Sequence, residues 1–336
     1  MKNILFKLFG LVLLVASALA GWFSLELHTY KDKALNVSQP VSVIIAPGSH
    51  LGAIARGLAD RGVTDKPQYF VLWGRWFNYA TRIQAGEYEL RPGMTPIEFM
   101  QDLVSGNVIQ HDLTLIEGWS FKQVLDVIWK HPKINPTLKG LSDEEIMKRL
   151  GKAGEHPEGR FFPTTYHFPS ATTDLAFLRR AYDAMQTVLD TEWETRDPNI
   201  PLQSAYEALI LASIVEKETG AAHERPEIAG VFTRRLNKNM RLQTDPTVIY
   251  GMGDLYDGDI RWRDLRRDTA YNTYTRKGLP PTPIAMPSQA AIHAALHPLA
   301  GTSLYFVSRG DGTHYFSATL REHEKAVDKY QRKRNR

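Results

Sequence analysis

The chain has 336 residues, enough for two domains or one with appendages, and its 43% hydrophobic and 23% charged residues suit an ordinary globular core. A net charge of +4 and a pI of about 9.0 give a mild basic bias, compatible with a polyanionic wall, a membrane or nucleic acid and demanding none. There is no cysteine, which excludes disulfides, thiolate metal sites and a cysteine nucleophile.

Lys2 and Lys7 precede Leu8–Leu25, an uncharged, mainly apolar run of 18 residues at the lower edge of a membrane span. A-S-A and A-L-A within Ala16–Ala20 resemble signal-peptidase sites, but the apolar run continues past them through Trp22, Phe23 and Leu25. The favoured reading is therefore an uncleaved anchor over 1–27. A cleaved signal peptide and a buried core helix are the alternatives. The positive-inside rule puts the N-terminus in the cytoplasm and the bulk of the chain outside, a bias weakened by Lys31 and Lys33 just after the span.

Residues 28–40 read as a polar linker. An α+β module over 41–110 is expected to follow: a strand at Val41–Ala46, then a helix to Arg61 capped by Ser49. An aromatic-rich helix over Pro67–Tyr79 comes next, then a strand at Gly86–Leu90 and a helix capped by Thr95 and ended by Gly106. The succession strand, helix, helix, strand, helix resembles a LysM-like module, a glycan-binding unit. Its aromatics are expected mainly in the core, with stacking on sugars as the alternative.

A second, mixed α+β domain is expected over 111–325, followed by a basic tail over 326–336. A strand at Asp112–Ile116 leads through Glu117–Ser120 into a helix ending near Trp129, and Ser142 with Glu145 forms a capping-box pattern. Glu158–Phe168, E-G-R-F-F-P-T-T-Y-H-F, is too aromatic for a solvated loop and carries Glu158, Arg160 and Tyr166 as polar groups. Helices are expected over Leu175–Trp193, Ala205–Gly220 and Glu227–Leu236. Arg241–Gly251 gathers Gln243, Thr244 and Asp245 beside a turn, like the wall of a site. Tyr271 and Asn272 precede a rigid proline loop at Gly278–Ile284. A helix capped by Ser288 and ended by Pro298, a hairpin over 304–317 turning at Asp311-Gly312, and a charged helix complete the chain.

Chemistry points to Ala205–Gly220. With Glu218 as origin, Leu211, Ile214 and Val215 lie within roughly 60° on the helical wheel and Glu216 about 160° away. A carboxyl on an apolar stripe has its pKa raised and can serve as a general acid near neutrality. The bland alternative is a glutamate at a helix end that bends to solvent or pairs with an arginine. Glu216, on the other side, is expected to be a structural ion-pair partner. The 11 histidines are scattered and H-E-x-x-H is absent, so no metal site and no cofactor are expected. P-loop, G-x-G-x-x-G and G-x-S-x-G motifs are absent, and no nucleic-acid module is recognisable.

E-G-R-F-F-P-T-T-Y-H-F, S-I-V-E-K-E, L-Q-T-D-P-T-V-I-Y-G, Y-N-T-Y with G-L-P-P-T-P-I, and Y-F-V-S-R-G-D-G-T-H-Y-F-S occur in this order. Together they resemble the YceG-like family, the membrane-anchored endolytic murein transglycosylases, over about residues 1–325. The departures are Thr164, where the family often has Asp, and Met286, where it often has Asn. The resemblance implies a LysM-like module and a catalytic domain anchored in the cytoplasmic (inner) membrane and facing the periplasm and cell wall. It implies that Glu218 is the catalytic acid/base. The reaction would cleave the β-1,4 bond between N-acetylmuramic acid and N-acetylglucosamine without water and leave 1,6-anhydro ends. Peptidoglycan glycan strands would be the substrate, and peptidoglycan synthases the neighbours where nascent strands are terminated. Gln243, Thr244, Asp245, Tyr271, Asn272, Glu158, Arg160 and Tyr166 are the candidates to line the cleft; a structural turn or a loop-bracing ion pair is the alternative for each. Two other functions remain open: a hydrolytic muramidase using Glu218 with Asp245, and a non-catalytic wall-binding scaffold.

Overall fold

The computed structural model describes residues 2–332, so the last four residues of the predicted basic tail lie outside the described residues. The fold is mixed α+β with one long apolar helix at the N-terminus, α1 (Lys2–Asp32). Of this helix, 27 residues, Phe6–Asp32, are long and apolar enough to cross a membrane. The chain divides into two compact units, Met1–His111 with Phe168–Ala171, and Asp112–His167 with Thr172–Arg336.

In the first unit, β1 (Val41–Ile45) pairs antiparallel with β2 (Gly86–Leu90), Val43 facing Tyr88. Between them run α2 (Leu51–Asp60) and α3 (Pro67–Trp76), and α4 (Pro96–Ser105) follows. The cap of α2 is His50, whose Nδ1 accepts from the Ala53 amide at 3.1 Å; Ser49 is held one residue upstream, its own amide donating to Ala46. The α3 helix stops at Trp76, short of the expected Tyr79, because Asn78 turns left-handed at φ 56°. Thr95 and Glu98 cap α4 reciprocally. Phe70, Tyr88, Leu90, Phe99 and Leu103 fill the core, while Trp76 and Phe77 of the aromatic helix stay exposed.

Residues 28–40 are not a free linker. Tyr30 and Leu35 are buried in this core; the Tyr30 hydroxyl bonds Thr64 at 2.8 Å and the Leu35 amide donates to Met94 at 2.8 Å. Trp73 Nε1 donates to the Leu27 carbonyl at 2.7 Å, so the last turns of α1 belong to the unit.

The second unit takes in parts of β3 (Gln110–Thr114) and β5 (Thr165–Pro169), together with α5 (Phe121–Lys130), β4 (Ile134–Asn135), α6 (Asp143–Arg149), β6 (Thr172–Thr173) and α7 (Asp174–Glu194). Then come α8 (Ala205–Glu218), α9 (Arg225–Asn237), α10 (Asp245–Met252), α11 (Trp262–Arg266), α12 (Gln289–Leu296), the hairpin β7 (Tyr305–Ser308) and β8 (His314–Ser317), and α13 (Leu320–Val327). The short parallel pair β4–β6 is tied down by Asp174, a fully buried carboxylate. It accepts from the Thr137 and Leu138 amides at 2.9 Å each and from Trp129 Nε1 at 3.0 Å. Every residue from Ala208 to Val215 is buried, so α8 is wrapped on all sides, by α7, α9 and α12 above all. Ser213 stitches it further: its hydroxyl donates to Ile210 and accepts the Ile284 amide of the proline loop at 3.0 Å.

Candidate active site

Glu218 is the last residue of α8, and Thr219 after it is extended, so the chain leaves the helix at the carboxylate. The side chain is partly buried and accepts a hydrogen bond from the Thr244 hydroxyl. Thr244 is the N-cap residue of α10 yet makes no side-chain cap bond, because its hydroxyl is turned to Glu218. The segment is locked to the Tyr271–Tyr274 stretch: the Gln243 amide donates to the Thr273 carbonyl at 3.2 Å, and the Thr244 amide to the Thr273 hydroxyl at 3.1 Å. Gln243 adopts a left-handed φ of 52°, a conformation that costs an ordinary residue about 1 kcal/mol.

A cavity of about 540 Å³ opens at Glu218, within the usual size range of ligand sites. Gln243, Asp245, Tyr274 and Arg235 line it, and the hairpin and α13 contribute Tyr305, Ser308, His314 and His323. The Tyr274 hydroxyl donates to Asp245. Arg235 is fixed by backbone carbonyls, Nε to Leu304 at 2.6 Å and Nη1 to Leu242 at 2.7 Å, and lies over the Tyr305 ring. Glu224 secures the hairpin, accepting the His314 amide and pairing with its Nδ1, each at 2.8 Å.

Burial pushes the Glu218 carboxyl up to about 7. The Thr244 bond and the more distant Arg235 charge oppose the rise, and the Asp245 charge adds to it. Glu218 also stands in the last turn of α8, the negative end of the helix dipole, which acts in the same upward direction. A carboxyl titrating near 7 can both give and take a proton at neutral pH. Glu216 faces elsewhere: it accepts from Arg225 at 3.1 Å and from the Ser288 amide at 2.9 Å, an ion pair that holds α8 to α9 and α12.

Of the sequence candidates, Gln243 and Asp245 line the Glu218 cavity, Thr244 bonds Glu218 itself, and the other five do neither. Asn272, 1% exposed, clips its own loop, its amide donating to the Asp264, Leu265 and Arg267 carbonyls. The Tyr271 hydroxyl bonds Thr282 at 2.9 Å and its ring packs on Tyr250. Tyr166 is buried and bonds the Phe162 carbonyl at 2.7 Å. Arg160 pairs with Glu155 at 3.2 Å and lies over the Tyr206 ring. Glu158 is buried, accepting the Phe121 amide at 2.9 Å and the Tyr250 hydroxyl at 3.1 Å, and its burial lifts it to about 7. The polar groups of that stretch build the scaffold: Gly159, at φ 78°, lets the chain pass Pro283, where a Cβ would lie 2.5 Å away. Conversely, Arg235, Tyr274, His314 and His323 line the cavity unannounced. Tyr274 and His314 lay within motifs that drew notice for other residues; Arg235 and His323 sit on charged helices that carry no signal.

Among the described residues, the histidine and carboxylate group close enough to hold a metal ion is Glu192, His293 and His297; none of the three lines this cavity.

A model of the YceG-like family matches residues 43–329. An endolytic murein transglycosylase of Bacillus subtilis (strain 168) is 34% identical over 307 residues, covering 86% of this chain and 84% of the relative. The endolytic murein transglycosylase of Streptococcus pneumoniae (strain D39) is 26% identical over 94% of this chain, which spans 63% of that longer protein. A crystal structure of a yceG-like protein from Listeria monocytogenes, 30% identical, aligns with a TM-score of 0.56 over 86% of this chain and all of that one.

Proposed function

Because this chain belongs to the YceG-like family, we propose that it cleaves murein glycan strands internally by lytic transglycosylation, with Glu218 as the single acid/base. The chain is a lytic transglycosylase, and peptidoglycan is its substrate. The bond cleaved is the β-1,4 linkage from N-acetylmuramic acid to N-acetylglucosamine. The observation that carries the mechanism is a buried carboxyl, lifted to about 7, that lines a polar cavity and accepts the Thr244 hydroxyl.

Ordinary glycosidases use two carboxyls, one as acid and one as base or nucleophile. Lytic cleavage needs one, used twice. Protonated Glu218 gives its proton to the glycosidic oxygen as the bond to C1 breaks. The carboxylate then takes the proton of the C6 hydroxyl, whose oxygen attacks C1 and closes the 1,6-anhydro ring. Atoms balance without water, and Glu218 ends protonated. The Thr244 hydroxyl steadies the carboxylate between the two transfers. Gln243, Asp245 and Tyr274 offer hydrogen bonds to an acetamido sugar.

The β-α-α-β order of the first unit supports a LysM-like glycan-binding role for it. The apolar α1 supports anchoring in the cytoplasmic membrane, N-terminus inside, which would keep the site beside nascent strands and their synthases. Asp245, lining the same cavity, is the observation that favours hydrolysis instead. Glu218→Gln tests the assignment: it should abolish anhydro-ended products while keeping the fold by circular dichroism. Turnover surviving in the Gln variant would show that another group does the chemistry.

A further inference from the structure

α7 and α12 meet at a cluster that plays no part in the reaction above. Glu192, near the end of α7, is 8% exposed, and among the described residues its partners are Gln289 and His293 rather than a lysine or arginine. Its Oε1 accepts from Gln289 Nε2 at 3.0 Å and its Oε2 faces His293 Nδ1 at 2.8 Å. His293 lies on α12 and His297, four residues on in H-A-A-L-H, is the residue just past its end; their rings stack at 4.2 Å. One ligand atom from each of the three residues lies within 4.8 Å of the others.

We propose that Glu192, His293 and His297 form a binding site for a divalent transition metal of the zinc class. Two imidazoles and a carboxylate are the donor set such ions prefer, and three protein ligands leave a fourth position for water. Metal–ligand bonds of about 2.0–2.2 Å need donor atoms roughly 3.3 Å apart, so the two imidazoles must swing inward by about 1 Å or more. Both histidines are exposed enough to turn. The outer groups fit as well. Gln289 orients Glu192 through its second oxygen, and the Thr195 carbonyl, 2.7 Å from His297 Nε2, can accept that N–H; Nδ1, which lies 3.2 Å from the His293 carbonyl, must turn away from it to offer its lone pair to the metal. The metal would take the place of the proton between His293 and Glu192. It would staple α12 to α7, and α12 is the helix whose N-cap Ser288 holds Glu216 on α8.

The test uses the full chain in detergent, purified without a polyhistidine tag and stripped with chelator. Zinc is titrated at neutral pH against a chromophoric competitor. One equivalent binding with micromolar or tighter affinity is expected, weakened at least about tenfold in both His297→Ala and Glu192→Gln. Added zinc should also raise the melting temperature of the unaltered chain and not that of His293→Ala. Far-UV circular dichroism without zinc checks that each variant folds, and His297→Gln replaces any that does not. Affinity unchanged across the variants, or no binding at one equivalent, would reduce the cluster to an ordinary His–Glu pair and overturn the proposal.

Discussion

At the scale of single residues, Glu218 and Thr244 form the unit on which the chemistry turns. Thr244→Val removes a hydroxyl donated to the carboxylate. Loss of a charge-assisted bond predicts a kcat lower by about tenfold or more, with little change in KM. Because that bond lowers the Glu218 pKa, the variant's alkaline limb should move to higher pH, which a pH–rate profile checks. Stability carries a related signature. The folded pKa of about 7 lies above the ordinary glutamate value of 4.5, so as pH rises from 4.5 the unfolded carboxyl ionises while the folded one keeps its proton. The fold therefore loses stability across that window, and the loss is complete above pH 7. Glu218→Gln should stabilise the protein by on the order of 1–2 kcal/mol at pH 8, after allowance for partial exposure, and by almost nothing at pH 4.5. Thermal melts at the two pH values measure this. Glu158, lifted to about 7 by deeper burial, adds a second contribution of the same sign.

At the scale of elements, the site depends on how α8 is held. Its apolar length is buried all round, and its C-terminal turn is pinned by Glu216 to Arg225 and to the Ser288 cap. Arg225→Ala would leave the Glu216 carboxylate, 6% exposed, without its cation, a loss of about 3 kcal/mol seen in chemical denaturation. Activity per folded molecule should fall too, since the end of α8 carries Glu218. Three helix caps were legible in the sequence, Thr95, Ser142 and Ser288, each one residue before its helix, whereas the cap of α2 proved to be His50 and not Ser49. α10 was not legible: D-P-T-V-I-Y-G reads as a turn, although proline in the first turn is also a helix start, and eight residues show too little periodicity to decide. The wheel separated Glu218 from Glu216 correctly, because a helix fixes which side chains share a face. It said nothing of which loop polar groups turn inward. Asn272 and Gln243 look alike in sequence, yet one is consumed by three carbonyls and the other lines the cavity. That difference depends on contacts made far along the chain.

At the scale of the molecule, α1 is both a candidate membrane span and the opening element of the first unit. Glu26 pairs with Lys66, and Tyr30 is 5% exposed, so the helix passes from one role to the other without a break. A soluble form starting at Ser24 should keep this packing, whereas one starting at Asn36 loses Tyr30 and Leu35 and should melt about 5 °C lower or more. The former is the form to use on nascent glycan strands, digested in water enriched in heavy oxygen. Cleavage by Glu218 alone, acting first as acid and then as base without water, predicts products lighter by one water than hydrolytic ends, anhydro-terminated and free of label. Reducing ends carrying the heavy oxygen would contradict the account and make Glu218 with Asp245 a hydrolytic pair.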